Sequence, residues 1–272
     1  MRARQGRPVA HERRESGRPT DDRQEPVSGW QKFRSGVTEL ALIVVGALVI
    51  SSVIRAFVGQ LFVIPSGSME QTLEIGDRVV AMKTADFKRG DIVVFKDSQH
   101  WLGAAPAERS AGGKFLEFVG LLPNTSSNYL IKRAIGMPGD TVACCDPKGR
   151  VTVNGKALDE SAYLYRLDGQ TVAPSSMSFK VVVPAGRIFV MGDHRNESGD
   201  SRYHLDDVAT GEYRGSAAFI PVDDVVGPAR AIFVPLSRFR VLHIPDTFSG
   251  VPQPSAAAPR KAQICTGDAC SP

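Results

Sequence analysis

From Leu40 to Ile54 the chain carries no charge, and the wider apolar stretch Val37 to Val58 includes only Glu39 and Arg55. At about 1.5 Å per residue such a stretch makes a helix of roughly 33 Å, enough to cross a hydrocarbon core of about 30 Å. It predicts a membrane anchor over 37–59 rather than a buried core helix, because a globular helix keeps a polar face. A cleaved secretory signal is disfavoured: the leader before the span is long, and the chain runs straight into Leu61-Phe62-Val63-Ile64 with no small-residue cleavage site. Beyond the span the period shortens. Arg78–Met82, Asp91–Phe95, Tyr129–Ile135, Arg150–Val153, Lys180–Val183, Ile188–Met191 and Ala229–Val234 are short runs rich in Val and Ile, the mark of strands. Asn154-Gly155 reads as a hairpin turn and Pro138-Gly139-Asp140 as a second tight turn. Neither a fixed repeat nor a long helical alternation appears, so residues 60–245 are expected to form a mainly antiparallel β domain. Ser98–Asn128 interrupts it, with Lys114 to Leu122 as a candidate short helix. From Asp246 to Pro272 Pro, Ser, Ala and Gly dominate, and a flexible tail is expected.

Charge adds direction to this outline. Residues 1–36 hold nine basic residues against five acids and almost no aliphatic side chains, so they are expected to be disordered. A basic flank ahead of the span places the N-terminus in the cytoplasm and the β domain outside. The whole chain, 272 residues long, carries a net charge of only +4, too small a bias to argue for nucleic acid. Its four cysteines lack CxxC spacing, which excludes a zinc ribbon and a disulfide-built miniprotein. Cys144 and Cys145 are adjacent, and Cys265 with Cys270 is the easier pair to close; the pairing stays open at this level.

Three clusters could carry chemistry. Pro65-Ser66-Gly67-Ser68-Met69 follows the span as an extended approach and a small-residue turn, which displays Ser68 as a candidate nucleophile. Such a serine needs a base. The histidines His11, His100, His194, His204 and His243 form no HExxH pair, and adjacent Asp193 and His194 could hardly orient one another in a triad. Lys132 is the second candidate: it shares a strand face with Leu130 and Ala134, and burial there lowers an amine pKa. Arg133 alternates to the opposite face, to stay solvated or to enter an ion pair. The third cluster, Met191 to Arg202, interleaves Asp193, Arg195, Glu197, Asp200 and Arg202 with Ser198 and Ser201, a pattern for a salt-bridged loop rather than a calcium site. Arg89-Gly90-Asp91 reads as a turn entering a strand, not an adhesion motif.

These boxes, in this order, resemble those of the type I signal peptidases, bacterial membrane-bound serine proteases. The resemblance rests on Pro65 to Met69 after an anchor, Arg89 to Phe95, Tyr129 to Arg133 followed by Gly136-Met137-Pro138-Gly139-Asp140, and Gly192-Asp193 with Ser198 to Arg202. It covers about residues 37–235 and looks closer to actinobacterial members. In the last box His194 and Glu197 stand where the family commonly has asparagines. The resemblance implies a barrel-like antiparallel β fold after one transmembrane helix, with neither cofactor nor metal. It implies Ser68 as nucleophile, Lys132 as general base, the Ser68 N–H and Ser66 hydroxyl as oxyanion hole, and Ser198 as the group orienting the lysine. Arg133, Asp193, Arg195, Asp200 and Arg202 would be structural ion pairs. Substrates would be exported preproteins cut after small residues, bound as an added strand between Phe62–Pro65 and Tyr129–Ile131. Phe62, Ile64, Pro65, Met69, Tyr129, Leu130 and Ile131 would line that site, and the partners implied are membrane lipid and the secretion translocon. A self-cleaving Ser/Lys repressor would be expected to carry a DNA-binding domain rather than a membrane span, and a non-enzymatic anchored domain would leave Ser68 and Lys132 idle.

Overall fold

The computed structural model describes residues 29–57, 59–103, 110, 112–113 and 129–267. The 1–28 leader, most of the Ser98–Asn128 interruption with its expected helix, and residues 268–272 lie outside the described residues. Helix α1, Gly29–Phe57, starts earlier than the apolar pattern suggested. Its 18-residue stretch Gly36–Val53 is long and apolar enough to cross a membrane, and none of it is buried within the protein. Leu40, Leu42, Ile43 and Ile50 are each more than 60% exposed, which a soluble helix could not sustain. The helix through Gly46 forms a unit of its own, and residues 47–272 form a second.

The second unit is built on short antiparallel strands: β1 Gly59–Val63, β2 Arg78–Met82, β3 Ile92–Lys96, β4 Tyr129–Gly136, β5 Thr141–Cys144, β6 Thr152–Val153, β7 Lys156–Ala157, β8 Arg166–Leu167, β9 Gln170–Thr171, β10 Phe179–Val182, β11 Arg187–Met191, β12 Ile220–Pro221, β13 Val225–Val234, β14 Arg240–Val241 and β15 Gln263–Thr266. The larger sheet runs β1-β2-β13-β3-β4-β11-β12, with β14 added on β13. A second sheet runs β15-β10-β5-β6-β7. Every described pairing is antiparallel, as the strand spacing predicted. The Asn154-Gly155 hairpin joins β6 to β7, with both turn residues at positive φ, 50° and 78°.

Three apolar clusters fix the sheets. Phe62, Ile64, Met69, Leu73, Val79 and Ile131 pack under the start of the domain. Val93, Phe95, Ala134, Ile188 and Val190 fill a second cluster, and Ile135, Val142, Phe179, Phe189 and Phe219 belong to the third and largest. Strand β4 therefore sends alternate residues into different cores, which is why it reads as an almost unbroken apolar run.

The expected flexible tail is corrected for residues 246–267. Phe248 and Val251 are buried in the largest cluster, and β15 pairs with β10 from Thr266 opposite Phe179 to Gln263 opposite Val182. Its composition hid this, because a segment rich in Pro and Ala can be ordered by two well-placed apolar anchors and one long-range strand pairing. The cysteine question is also answered in part: Cys144 is bonded to Cys145, and Cys265 is likewise in a disulfide.

Candidate active site

Ser68 sits in a single 3₁₀ turn, Gly67–Met69, entered from extended backbone at Ser66 (φ −140°, ψ 159°). The turn is anchored from below. Met69 and Leu73 are fully buried, and the Leu73 N–H donates to the Met69 carbonyl at 2.7 Å. Ahead of it Ile64 is tied on both sides, its N–H to the Asp77 carbonyl and its carbonyl to the Gly76 N–H, each at 2.9 Å. The serine thus projects from a rigid corner between β1 and the core.

Lys132 reaches that corner from β4. Its Nζ is in direct hydrogen-bond contact with Ser68 Oγ, and the residue is only 3% exposed. Burial lowers the amine pKa from 10.5 to about 8; Asp200 and Asp193 pull it back up, and Arg202 pushes it further down. An amine tuned in this way is partly neutral near physiological pH, so it can accept a proton from the hydroxyl it touches.

Behind the pair lies the salt-bridged loop. Arg133, 2% exposed, binds Asp193 through two hydrogen bonds and donates to the Gly90 carbonyl at 2.7 Å; Thr72 also donates to Asp193. Arg202 pairs with Asp200, and burial, which would raise the Asp200 pKa, is outweighed by Arg202 and the Gly192 N–H, which hold it low. Arg195 pairs with Glu160, a residue the sequence did not single out, since its partner lies 35 residues away. Glu160 also accepts from Tyr163, whose ring lies under Arg133 with the guanidinium carbon 4.2 Å from the centroid.

Ser198 is buried, and its hydroxyl helps hold the Asp200 pKa low; it makes no hydrogen bond to Lys132. It nevertheless borders the site. A Cβ at Gly192 would collide with both Ser198 Oγ and the Ser68 carbonyl, so the missing side chain is what lets the loop close on the nucleophile turn.

A cleft of ≈ 170 Å³ opens over the pair. It is lined by Phe62, Ile64, Pro65, Ser66, Ser68, Tyr129, Leu130, Ile131 and Lys132, and by Val63 and Val94, which the sequence did not indicate. Met69 is the exception among the expected lining residues: it is wholly buried beneath the turn and does not reach the cleft. Ser66 is exposed at the rim. Of the described histidines, only His194 approaches the pair, through the backbone of the turn; His204 lies with Asp207 and stacks on Trp101. His11 lies outside the described residues. Among the described residues no group of His, Cys, Asp and Glu could hold a metal ion.

The edges of the cleft matter as much as its walls. Among the described residues strand β1 pairs only with β2, which leaves its other edge open to them. Among the described residues strand β4 pairs with β3 along Tyr129 to Arg133 but with β11 only from Arg133 onward, so none of them pairs with the second edge of Tyr129–Lys132. The rings of Phe62 and Tyr129, with centroids 5.2 Å apart, bridge the two strands.

The family model described as signal peptidase, peptidase S26, matches residues 37–234. The chain is similar to a probable signal peptidase I of Mycobacterium leprae (strain TN), 37% identical over 237 residues that cover 76% of this chain and 80% of that protein. Signal peptidase I of Mycobacterium tuberculosis (strain ATCC 25618 / H37Rv) is 34% identical over 234 residues, 77% of this chain and 76% of that one. The probable signal peptidase I-2 of Synechocystis sp. is 34% identical over 209 residues, 75% and 76% of the two chains. The chain belongs to the signal peptidase family, peptidase S26.

Proposed function

We propose that this type I signal peptidase cleaves exported preproteins by a Ser68/Lys132 dyad through an acyl-enzyme. The observation that carries the reading is the buried Lys132 amine, lowered to about 8, in contact with the Ser68 hydroxyl at the foot of an apolar cleft. Neutral Lys132 takes the Ser68 proton as Oγ attacks the scissile carbonyl, and the lysine then gives that proton to the departing amine. A water deprotonated by the same lysine attacks the ester, and the proton returns to Ser68 Oγ as the acyl group leaves. Negative charge on the tetrahedral oxygen is met by the Ser68 N–H and the Ser66 hydroxyl. Ser198, buried beside Gly192, is the group that orients the lysine.

The substrate enters as an added strand between the open edges of β1 and β4, its backbone held by ladder hydrogen bonds and alternate side chains set into the cleft. Apolar walls and modest volume favour small uncharged side chains next to the cut bond. The basic leader supports an N-terminus in the cytoplasm and a β domain outside, at the membrane surface where preproteins leave the translocon. Detergent-solubilised protein incubated with a model preprotein tests the proposal. Cleavage by the wild type and none by Ser68→Ala is expected; equal cleavage by both overturns the dyad.

A further inference from the structure

Among the described residues His194 is the one histidine that touches the nucleophile turn, and it does so twice. Its backbone N–H donates to the Ser68 carbonyl at 3.2 Å. Its ring Nδ1 lies 3.2 Å from the Gly67 carbonyl oxygen and 3.0 Å from Glu70 Oε2. A carbonyl and a carboxylate only accept, so Nδ1 carries the proton that both receive, and in the neutral ring Nε2 is left bare. The ring itself is fixed, stacked on Tyr165 with centroids 3.8 Å apart, and the residue is 7% exposed. Glu70 is fixed as well: its N–H donates to the same Gly67 carbonyl at 2.9 Å, and its carboxylate folds back over the place a Gly67 side chain would occupy.

The Gly67 carbonyl and the Ser68 N–H belong to one planar trans peptide and point in opposite directions. Whatever fixes the carbonyl therefore aims the N–H. On the proposed mechanism, on which this step rests, that N–H is an oxyanion-hole donor. From this geometry we infer that His194 is a positioning residue that holds the Gly67–Ser68 peptide plane from behind, through a shared Nδ1 proton with Glu70, and so points the Ser68 N–H into the cleft. Its backbone N–H pins the next peptide plane, so both planes flanking the nucleophile are tied to one loop residue. The device works only in the transition state, where charge appears on the oxygen, so it acts on kcat and leaves substrate binding alone.

Two readouts on the full-length protein test this. Nitrogen-15 NMR of histidine-labelled enzyme, with the His194 signals identified by their loss in His194→Asn, should show a ring protonated at Nδ1. A ring protonated at Nε2 alone, with Nδ1 bare, overturns the inference, whether or not the enzyme cleaves. In preprotein cleavage, His194→Phe keeps the stack on Tyr165 but has no donor, and should lower kcat about 10- to 100-fold with KM unchanged. His194→Asn, whose amide can place a donor near the ring Nδ1, should recover most of that loss. Wild-type kcat in His194→Phe, or equal loss in both variants, overturns it. Failure of the mechanistic reading is seen separately, as wild-type cleavage that persists in Ser68→Ala.

Discussion

Arg133 grips both carboxylate oxygens of Asp193, Nε to Oδ1 at 2.8 Å and Nη2 to Oδ2 at 2.5 Å, one residue along β4 from the Lys132 amine. Strand alternation sends the two cations to opposite faces, one to be neutralised by a paired acid and one to be left without a direct carboxylate partner. Removing only the arginine leaves a buried, uncompensated carboxylate. Arg133→Met should cost about 3–5 kcal/mol by chemical denaturation, and Arg133→Met with Asp193→Leu should recover part of it. If the double variant is no more stable than the single, the pair is not a coupled unit.

Lys132 gives a pH prediction with a definite sign. Its folded pKa of about 8 lies below the ordinary 10.5, so the unfolded chain binds the extra proton between those values and stability rises with pH across that window. Below about pH 8 the full penalty of burying the charge is present, roughly 3 kcal/mol at about 1.4 kcal/mol per pK unit. Lys132→Met should therefore be more stable than wild type at pH 7 and inactive, with a flatter stability profile from pH 8 to 10.5. The wild-type kcat/KM should climb through an acid limb near pH 8 as the amine becomes neutral. Lys132→Arg that folds and still cleaves would show that the proton is not taken at this position.

Ser66 lies at the rim of the cleft, two residues before the nucleophile. Ser66→Ala should lower kcat by about 10²–10³-fold with little change in KM, and Ser66→Thr should be milder because a hydroxyl remains. Steady-state kinetics on a signal-peptide substrate decide it: an unchanged kcat in Ser66→Ala removes the hydroxyl from the mechanism.

Phe248 tests the correction at the C-terminal end. It is 7% exposed and stacks with Tyr163, the residue whose ring also lies under Arg133. Phe248→Ala should destabilise the domain by about 3–5 kcal/mol, measured by denaturant unfolding. A change under 1 kcal/mol, near the noise for a surface site, would return the segment to the status of a loose tail.

Much of this architecture is written locally. Val and Ile runs mark β2, β3, β4, β11 and β13, and the Asn154-Gly155 turn specifies its own hairpin, because side-chain period and turn chemistry are properties of neighbours in sequence. Strands β5, β12 and β15 were not foreseen: they are short, and their stability comes from partners far along the chain. The ion pairs divide in the same way. Asp200 with Arg202 is two residues long and readable, whereas Arg195 with Glu160 and Arg133 with Asp193 exist only once the sheet brings them together. The Ser68–Lys132 pairing crosses 64 residues. An amine in an apolar strand hinted at it, but only the fold supplies the contact.

Strand β4 has a divided role. Its later half is locked between β3 and β11, while along Tyr129–Lys132 one rail of hydrogen-bonding groups stands open beside the nucleophile. A polypeptide that zips onto that rail is read by count. The ladder advances in steps of two residues, so slipping by one presents the opposite set of side chains to the walls. If substrate binds as the proposed added strand, the protein behaves as a ruler, and the position of the cut is measured by backbone register from a fixed mark, with no need to recognise a particular sequence of large side chains.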